Sequence, residues 1–210
     1  MRPFSLFGVP VRIEFSFLLL AVFLGFDLAS RPDRLLVWCL VVLFSVLVHE
    51  FGHAMTARRF GLSPAILIHG MGGTTQFSSD TTIGRHLLIT LAGPFAGLSL
   101  GVAVLLLRST LKIEHELIRF AVERAIWVNL GWSVFNLLPI LPLDGGQATR
   151  QFIALVFRRD ATSVVSVLGV LLSGGLILLA VFARQIFMGL VALNFLIHNV
   201  RVLRAQRAQQ

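Results

Sequence analysis

Residues 35–55 read LLVWCLVVLFSVLVHEFGHAM, and from Leu35 to Val48 no residue carries a charge. A helix needs about 20 largely apolar residues to cross a hydrocarbon core ~30 Å thick. This run supplies most of them before it meets His49, Glu50 and His53. The rest of the chain has the same character: of 210 residues, 56% are hydrophobic and 13% charged, against roughly a quarter charged in an ordinary soluble domain. Six stretches have span length, about 14–30, 35–57, 87–107, 119–141, 163–183 and 186–203. The expected fold is an all-α polytopic membrane protein of about six transmembrane helices in a lipid bilayer. The connections 58–86 and 142–162 are too short for a separate soluble domain of ~50 residues, so residues 1–210 are expected to form a single domain.

The formal charge is +8, yet the eighteen Lys and Arg residues are scattered over every connection. They form no basic run of the kind that binds polyanions, which argues against nucleic acid as a partner. Their placement reads as topology instead. With the N-terminus inside, Arg31, Arg34, Arg108, Lys112, Arg119, Arg124 and Arg184 fall outside, and the other eleven, from Arg2 to Arg207, fall inside. The positive-inside rule favours that orientation. Cys39, the only cysteine, can form no internal disulfide and reads as packing. The start, MRPFSLFGVPVRIEFSFLLL, has the basic-then-apolar order of a signal peptide, but no clear small-residue cleavage site follows. It reads as a retained first helix, with a turn at Gly8-Val9-Pro10 before it and room for short strands on either side.

His49 and His53 are four residues apart, about 40° around a helix and ~6 Å along it, so both imidazoles face one side. That spacing suits one metal ion. Glu50 lies ~100° further round, near enough to reach a water at the metal without being a ligand. This is the H-E-x-x-H arrangement of zinc peptidases, in which zinc polarises the scissile carbonyl and the glutamate carries the proton to the leaving amine. The bland reading is an interfacial polar cluster with Arg58 and Arg59 snorkelling to the headgroups. Depth favours function, because the three residues precede the basic pair and ionisable groups below the membrane surface are costly.

A catalytic zinc normally has three protein ligands and a water. Among the acidic residues, Asp27, Asp33, Asp80, Glu114, Glu116 and Asp160 have easy solvated explanations at span ends or in connections, whereas Asp144 does not. It sits in FNLLPILPLDGG, 135–146, where Pro139 and Pro142 should take the chain out of helical geometry around Leu138–Leu143. Irregular backbone at membrane depth is tolerated only when buried in protein or lining a wet cavity. A loop aspartate after a helix end is the alternative. Asn129, Ser133 and Asn136 form a polar stripe on one side of the preceding helix, which could equally be helix-to-helix hydrogen bonding.

HEFGH at 49–53 together with NLLPILPLDGG at 136–146 resembles the site-2 protease family of intramembrane zinc metalloproteases, peptidase family M50, whose core motifs are HExxH and N-x-x-P followed by LDG. FGVPVRIEFSFLLL at the start, Gly72-Gly73 and AGPFAG at 92–97 extend the resemblance, which covers most of the chain to about residue 151. The last two spans are matched only in hydropathy. The resemblance implies one Zn2+ per chain bound by His49, His53 and Asp144, with Glu50 as general base and acid. It implies that Asn136 holds substrate or stabilises the developing oxyanion. Ala65–Phe77 looks like the family's strand or hairpin segment between spans 2 and 3, with Gly72 and Gly73 meeting an extended substrate, although a surface loop is as economical from sequence. Gly97 and Gln147 depart from the asparagine and arginine common in relatives, which puts substrate positioning in doubt rather than metal chemistry.

Gly93, Gly97 and Gly101 also have a purely structural reading, as small residues that let two membrane helices approach closely. Gly169, Ser173, Gly174 and Gly175 suggest close packing or a looser, gate-like helix, and His69 reads as a solvated loop histidine. The expected activity is hydrolysis within or near the transmembrane segment of a single-span membrane protein, with the N-terminus and the site toward the cytoplasm of a bacterial membrane. No room is left for a PDZ or CBS domain, so control would come from a regulatory membrane partner or self-association. The alternative is a metal-binding scaffold or transporter that does not cleave.

Overall fold

A computed structural model describes residues 4–77 and 81–208; Arg2 and Asp80 lie outside the described residues. The chain forms two compact units, Met1–Thr81 with Ala92–Phe135, and Thr82–Leu91 with Asn136–Gln210.

The first unit opens with β1, Phe4–Leu6, and β2, Val9–Ile13, followed by a ten-residue helix α1, Phe15–Leu24, and a 3-10 turn at Phe26–Leu28. Helix α2, Pro32–Arg59, leads into β3, Ala65–His69, and β4, Gly72–Gln76. The strands form one sheet in the order β1-β2-β3-β4, with β2 and β3 parallel and the outer pairs antiparallel. Val9, Val11, Ile66 and Ile68 alternate inward along β2 and β3, the period-2 pattern of a half-buried strand. They pack with Phe17 and Ala21 of α1 and with Val42, Val46 and Ala54 of α2. Helix α2 starts at Pro32 with Asp33 in its first turn and ends with Arg58 and Arg59, charges that complement the helix dipole at both ends. Arg58 also donates to the Phe7 carbonyl, tying the N-terminal hairpin to the end of α2.

Most of α3, Ile83–Thr110, and nearly all of α4, Glu116–Asn136, complete this unit. The glycine stripe on α3 turns out to face two helices. A Cβ on Gly97 or Gly101 would overlap Ser133 or Leu130 of α4, and one on Gly93 would overlap His53 of α2. Asn129 bonds across to α2, its Nδ2 donating to Ser45 Oγ at 2.8 Å. Glu116 pairs with Arg34, and Glu123 with Arg108 at 3.2 Å.

In the second unit, α5, Asp144–Phe157, follows a non-helical stretch and leads to α6, Thr162–Phe182, and α7, Ile186–Arg207. Leu141, Ala161 and Val165 form its buried cluster, with Ile153 and Val202 packed against them. Asp160 accepts from the Thr162 hydroxyl at 2.7 Å and the Thr162 amide at 3.1 Å at the start of α6.

Four helices, α2, α3, α6 and α7, are long and apolar enough to cross a membrane. The protein is an integral membrane protein. Six such helices are not found among the described residues, and the all-α expectation gives way to a mostly helical fold with a four-stranded sheet. The stretch 14–30 yields only ten α-helical residues, because Gly25 and the 3-10 turn interrupt it. The stretch 119–141 is helical to Asn136, but Arg119, Glu123 and Arg124 crowd its first half. The exit from helix at Leu137 agrees with the two prolines. Helix α5 was not expected in a segment read as a connection.

Candidate active site

Helix α2 presents His49, Glu50 and His53 inside the protein, with relative exposures of 4%, 4% and 7%. Their ligand atoms lie within 4.8 Å of one another, and among the described residues this is the one group of three or more metal-type side chains so clustered. The two histidine Nε2 atoms are 3.2 Å apart. Zinc–nitrogen bonds of ~2.0–2.1 Å at a tetrahedral angle put two ligand nitrogens roughly 3.4 Å apart. The pair therefore suits one shared metal ion, and it also suits one shared proton. The residues present fit zinc.

Two glycines shape the space around these side chains. A Cβ on Gly93 of α3 would stand 2.7 Å from His53 Cδ2, so the imidazole occupies room that any larger residue would fill. A Cβ on Gly73 of β4 would stand 2.6 Å from the carboxyl carbon of Glu50. Two residues along, on the same face of β4, Thr75 places Oγ1 2.7 Å from Glu50 Oε2 and 3.1 Å from the Glu50 carbonyl oxygen. Donation to Oε2 stabilises a carboxylate that is costly to bury. It leaves Oε1, on the Gly73 side, for other chemistry.

Of the remaining candidates, Gly72 has φ +120°, a conformation that a side chain would strain, and it lies under Trp132. His69 closes the β3–β4 turn: its Nδ1 accepts from the Met71 amide at 3.2 Å, so Nε2–H donates to Thr74 Oγ1 at 3.1 Å. Asn136, buried at 8% exposure, ends α4, and Asp144 is the first residue of α5; both belong to the second unit. There, Cβ atoms on Gly145 and Gly146 would overlap the backbone of Leu137, Leu138 and Ile140. The glycine pair thus lets the 137–141 segment fold directly onto the first turn of α5.

Thr75 and Gly93 were not singled out from sequence for these contacts. The signal for Thr75 is the strand period, which puts it on the face of Gly73; Gly93 was visible only as one of a stripe of small residues.

Known proteins resemble this chain in sequence and in fold. Residues 108–182, which contain the NLLPILPLDGG segment, match the model of peptidase family M50. Zinc metalloprotease MJ0392 of Methanocaldococcus jannaschii is 26% identical over 196 residues, covering 92% of this chain and 57% of the relative. Rip3 of Mycobacterium tuberculosis is 34% identical over 149 residues, covering 68% of this chain and 37% of the relative. The chain thus spans only about half the length of these curated relatives. In fold it is similar to the solved site-2 protease from Methanocaldococcus jannaschii, with TM-score 0.69 at 22% identity, over 97% of this chain and 94% of that one. The fold and motif pair define a membrane-embedded metalloprotease class. Within it, this chain belongs to the site-2 protease family, peptidase family M50.

Proposed function

We propose that this protein is a zinc endopeptidase that hydrolyses a peptide bond within or near the transmembrane segment of a single-span membrane protein. The observation that carries the reading is the buried His49–Glu50–His53 cluster with the Glu50 carboxylate held by Thr75 and Gly73. By the family resemblance, His49, His53 and the Asp144 of the LDG motif would hold one zinc ion. Zinc, when bound, supplies a Lewis acid that polarises the scissile carbonyl and acidifies the attacking water. Glu50, fixed through Oε2, takes the water's proton at Oε1 and returns it to the leaving nitrogen. Asn136 offers a donor to the substrate carbonyl oxygen as charge develops on it. Strand β4 lies at an edge of the sheet, and Gly72 and Gly73 at its start let an extended substrate backbone approach. A helical peptide bond is shielded, so pairing of this kind draws the substrate into a cleavable form.

The distribution of basic residues supports a site toward the cytoplasm of a bacterial membrane, with the N-terminus on the same side. By family analogy the cleavage serves regulated intramembrane proteolysis, with a membrane partner or self-association as control. The deciding experiment measures zinc content and cleavage of a model single-span substrate in liposomes for wild type and Glu50→Gln. One zinc per chain in both, with cleavage reduced at least a hundredfold in the variant, is expected. Equal cleavage by Glu50→Gln would refute the mechanism. Zinc binding without cleavage by wild type would favour a metal-binding scaffold or transporter.

A further inference from the structure

Asn199 of α7 is fully buried, at 0% exposure. Its Nδ2 donates to the Phe195 carbonyl at 2.8 Å, one turn back, and to the Leu141 carbonyl at 2.7 Å. Leu141 precedes Pro142, which has no N–H, in the segment where helical bonding is interrupted. The neighbouring turn bonds run from Leu143 N to Ile140 O and from Gln147 N to Leu143 O, and the Leu141 carbonyl between them is served by the side chain from α7. The other end of the carboxamide, Oδ1, is buried without a hydrogen-bond partner among the described residues. An aliphatic residue would avoid that cost, so the position is held for what Nδ2 does.

Gly169 of α6 makes the reach possible. A Cβ there would stand 2.5 Å from Asn199 Cγ, so the carboxamide lies in the space that the glycine leaves. Leu141 is three residues before Asp144, and the packing of Gly145 and Gly146 on the 137–140 backbone makes the segment and the start of α5 one rigid piece. Fixing the Leu141 carbonyl therefore fixes where Asp144 begins its helix.

We propose that Asn199 is a positioning residue for Asp144, and that the α6–α7 hairpin, through Gly169 and Asn199, sets the location of that carboxylate. The proposal rests on the reading of Asp144 as a zinc ligand. It is tested on the full chain in detergent with zinc alone, by competition against a chelator alongside thermal unfolding. The variants are Asp144→Ala, Asn199→Leu, Asn199→Ala, Gly169→Ala and the Gly169→Ala/Asn199→Ala double. Asn199→Leu and Gly169→Ala each bind zinc about tenfold more weakly than wild type, at the lower end of what lost support around a metal ligand costs, with little change in unfolding temperature. The double binds no more weakly than Asn199→Ala, because the added methyl then meets no carboxamide. Wild-type affinity in both Asn199→Leu and Gly169→Ala, when Asp144→Ala has lost zinc, overturns the positioning role and leaves the ligand reading intact. Affinity that merely tracks unfolding temperature across the variants also overturns it, assigning Asn199 to stability alone. Unchanged affinity in Asp144→Ala refutes the ligand reading itself and this proposal with it.

Discussion

Replacing Gly73 by alanine displaces the Glu50 carboxylate, the group proposed to carry the proton. The new Cβ would stand 2.6 Å from Glu50 Cδ, about 1 Å inside ordinary carbon–carbon contact. Strand β4 cannot simply retreat, since it is paired with β3 along its whole length, from Ala65 opposite Gln76 to His69 opposite Gly72. The carboxylate yields instead, by roughly 1 Å, and a misplacement of that size costs on the order of 100-fold in rate, or about 2.7 kcal/mol of barrier. His49 and His53 are untouched by the added methyl, so zinc content stays at the wild-type value. The assay is steady-state cleavage of a model single-span substrate in liposomes, with zinc measured on the same preparations and the exposed neighbour Thr74→Ala as control. The expected signature is a fall in kcat with KM nearly constant. A kcat within threefold of wild type would refute the steric argument. A rise in KM at full kcat would show that Gly73 meets the substrate rather than the base.

Thr75→Val removes the hydroxyl that holds Glu50 Oε2 and lowers kcat about tenfold, equivalent to ~1.4 kcal/mol, whereas Thr75→Ser retains most activity; parallel kinetics of the two variants check it. Asn129→Leu breaks the buried bond to Ser45 and costs about 1 kcal/mol of stability, read as a lower unfolding midpoint in detergent at unchanged zinc content. At the start of α6, the Thr162 hydroxyl, and more weakly the Thr162 amide and Arg150, hold the Asp160 carboxyl below the usual carboxylate range against the opposing effect of burial. Its folded pKa being depressed, its contribution is full above the ordinary value of about 3.9 and is lost as pH falls through the folded value. Melting curves at pH 6 and pH 3 should therefore converge for wild type and Asp160→Asn at the lower pH.

The long helices and the HExxH cluster were legible because each rests on a local rule: apolar length for a span, and the 3.6-residue period for two histidines and a glutamate on one helix. The break after Asn136 followed from Pro139 and Pro142. The start of the chain was less legible. Leu24 and Phe26 are as apolar as their neighbours, and hydropathy cannot register that Gly25 fits under Trp38 and ends the helix there. Helix α5 was hidden because glycine is a poor helix former, while in the structure Gly145 and Gly146 stand in its first turn and give room for the 137–140 backbone. The sheet needed partners distant in sequence: Val11 meets Ile66 only after α2 has brought the chain back, and no local pattern records that pairing. Thr75 was invisible as a support for Glu50 for the same reason, as 25 residues separate donor and acceptor.

The pairing of β2 with β3 carries a parity rule. Val11 to Ile13 lie alongside Ile66 to Ile68 as hydrogen-bonded neighbours, so both segments sit on the same side of any bilayer, and the chain between them crosses it an even number of times. If α2 makes one crossing, residues 14–31 must make another, although α1 has ten residues and a helix of that length covers ~15 Å, half of a ~30 Å core. The second half of that passage is then made by chain without a continuous α-helical ladder, which lipid does not tolerate unless protein supplies the missing donors. Trp38 of α2 adds a further donor near the end of α1, its Nε1 donating at 2.9 Å to the Ala21 carbonyl, which also accepts from the Gly25 amide. On this count the first crossing is enforced by strand registry rather than by hydropathy, and pairs of single-cysteine probes placed before Phe15 and after Leu28 should label from opposite faces of the membrane.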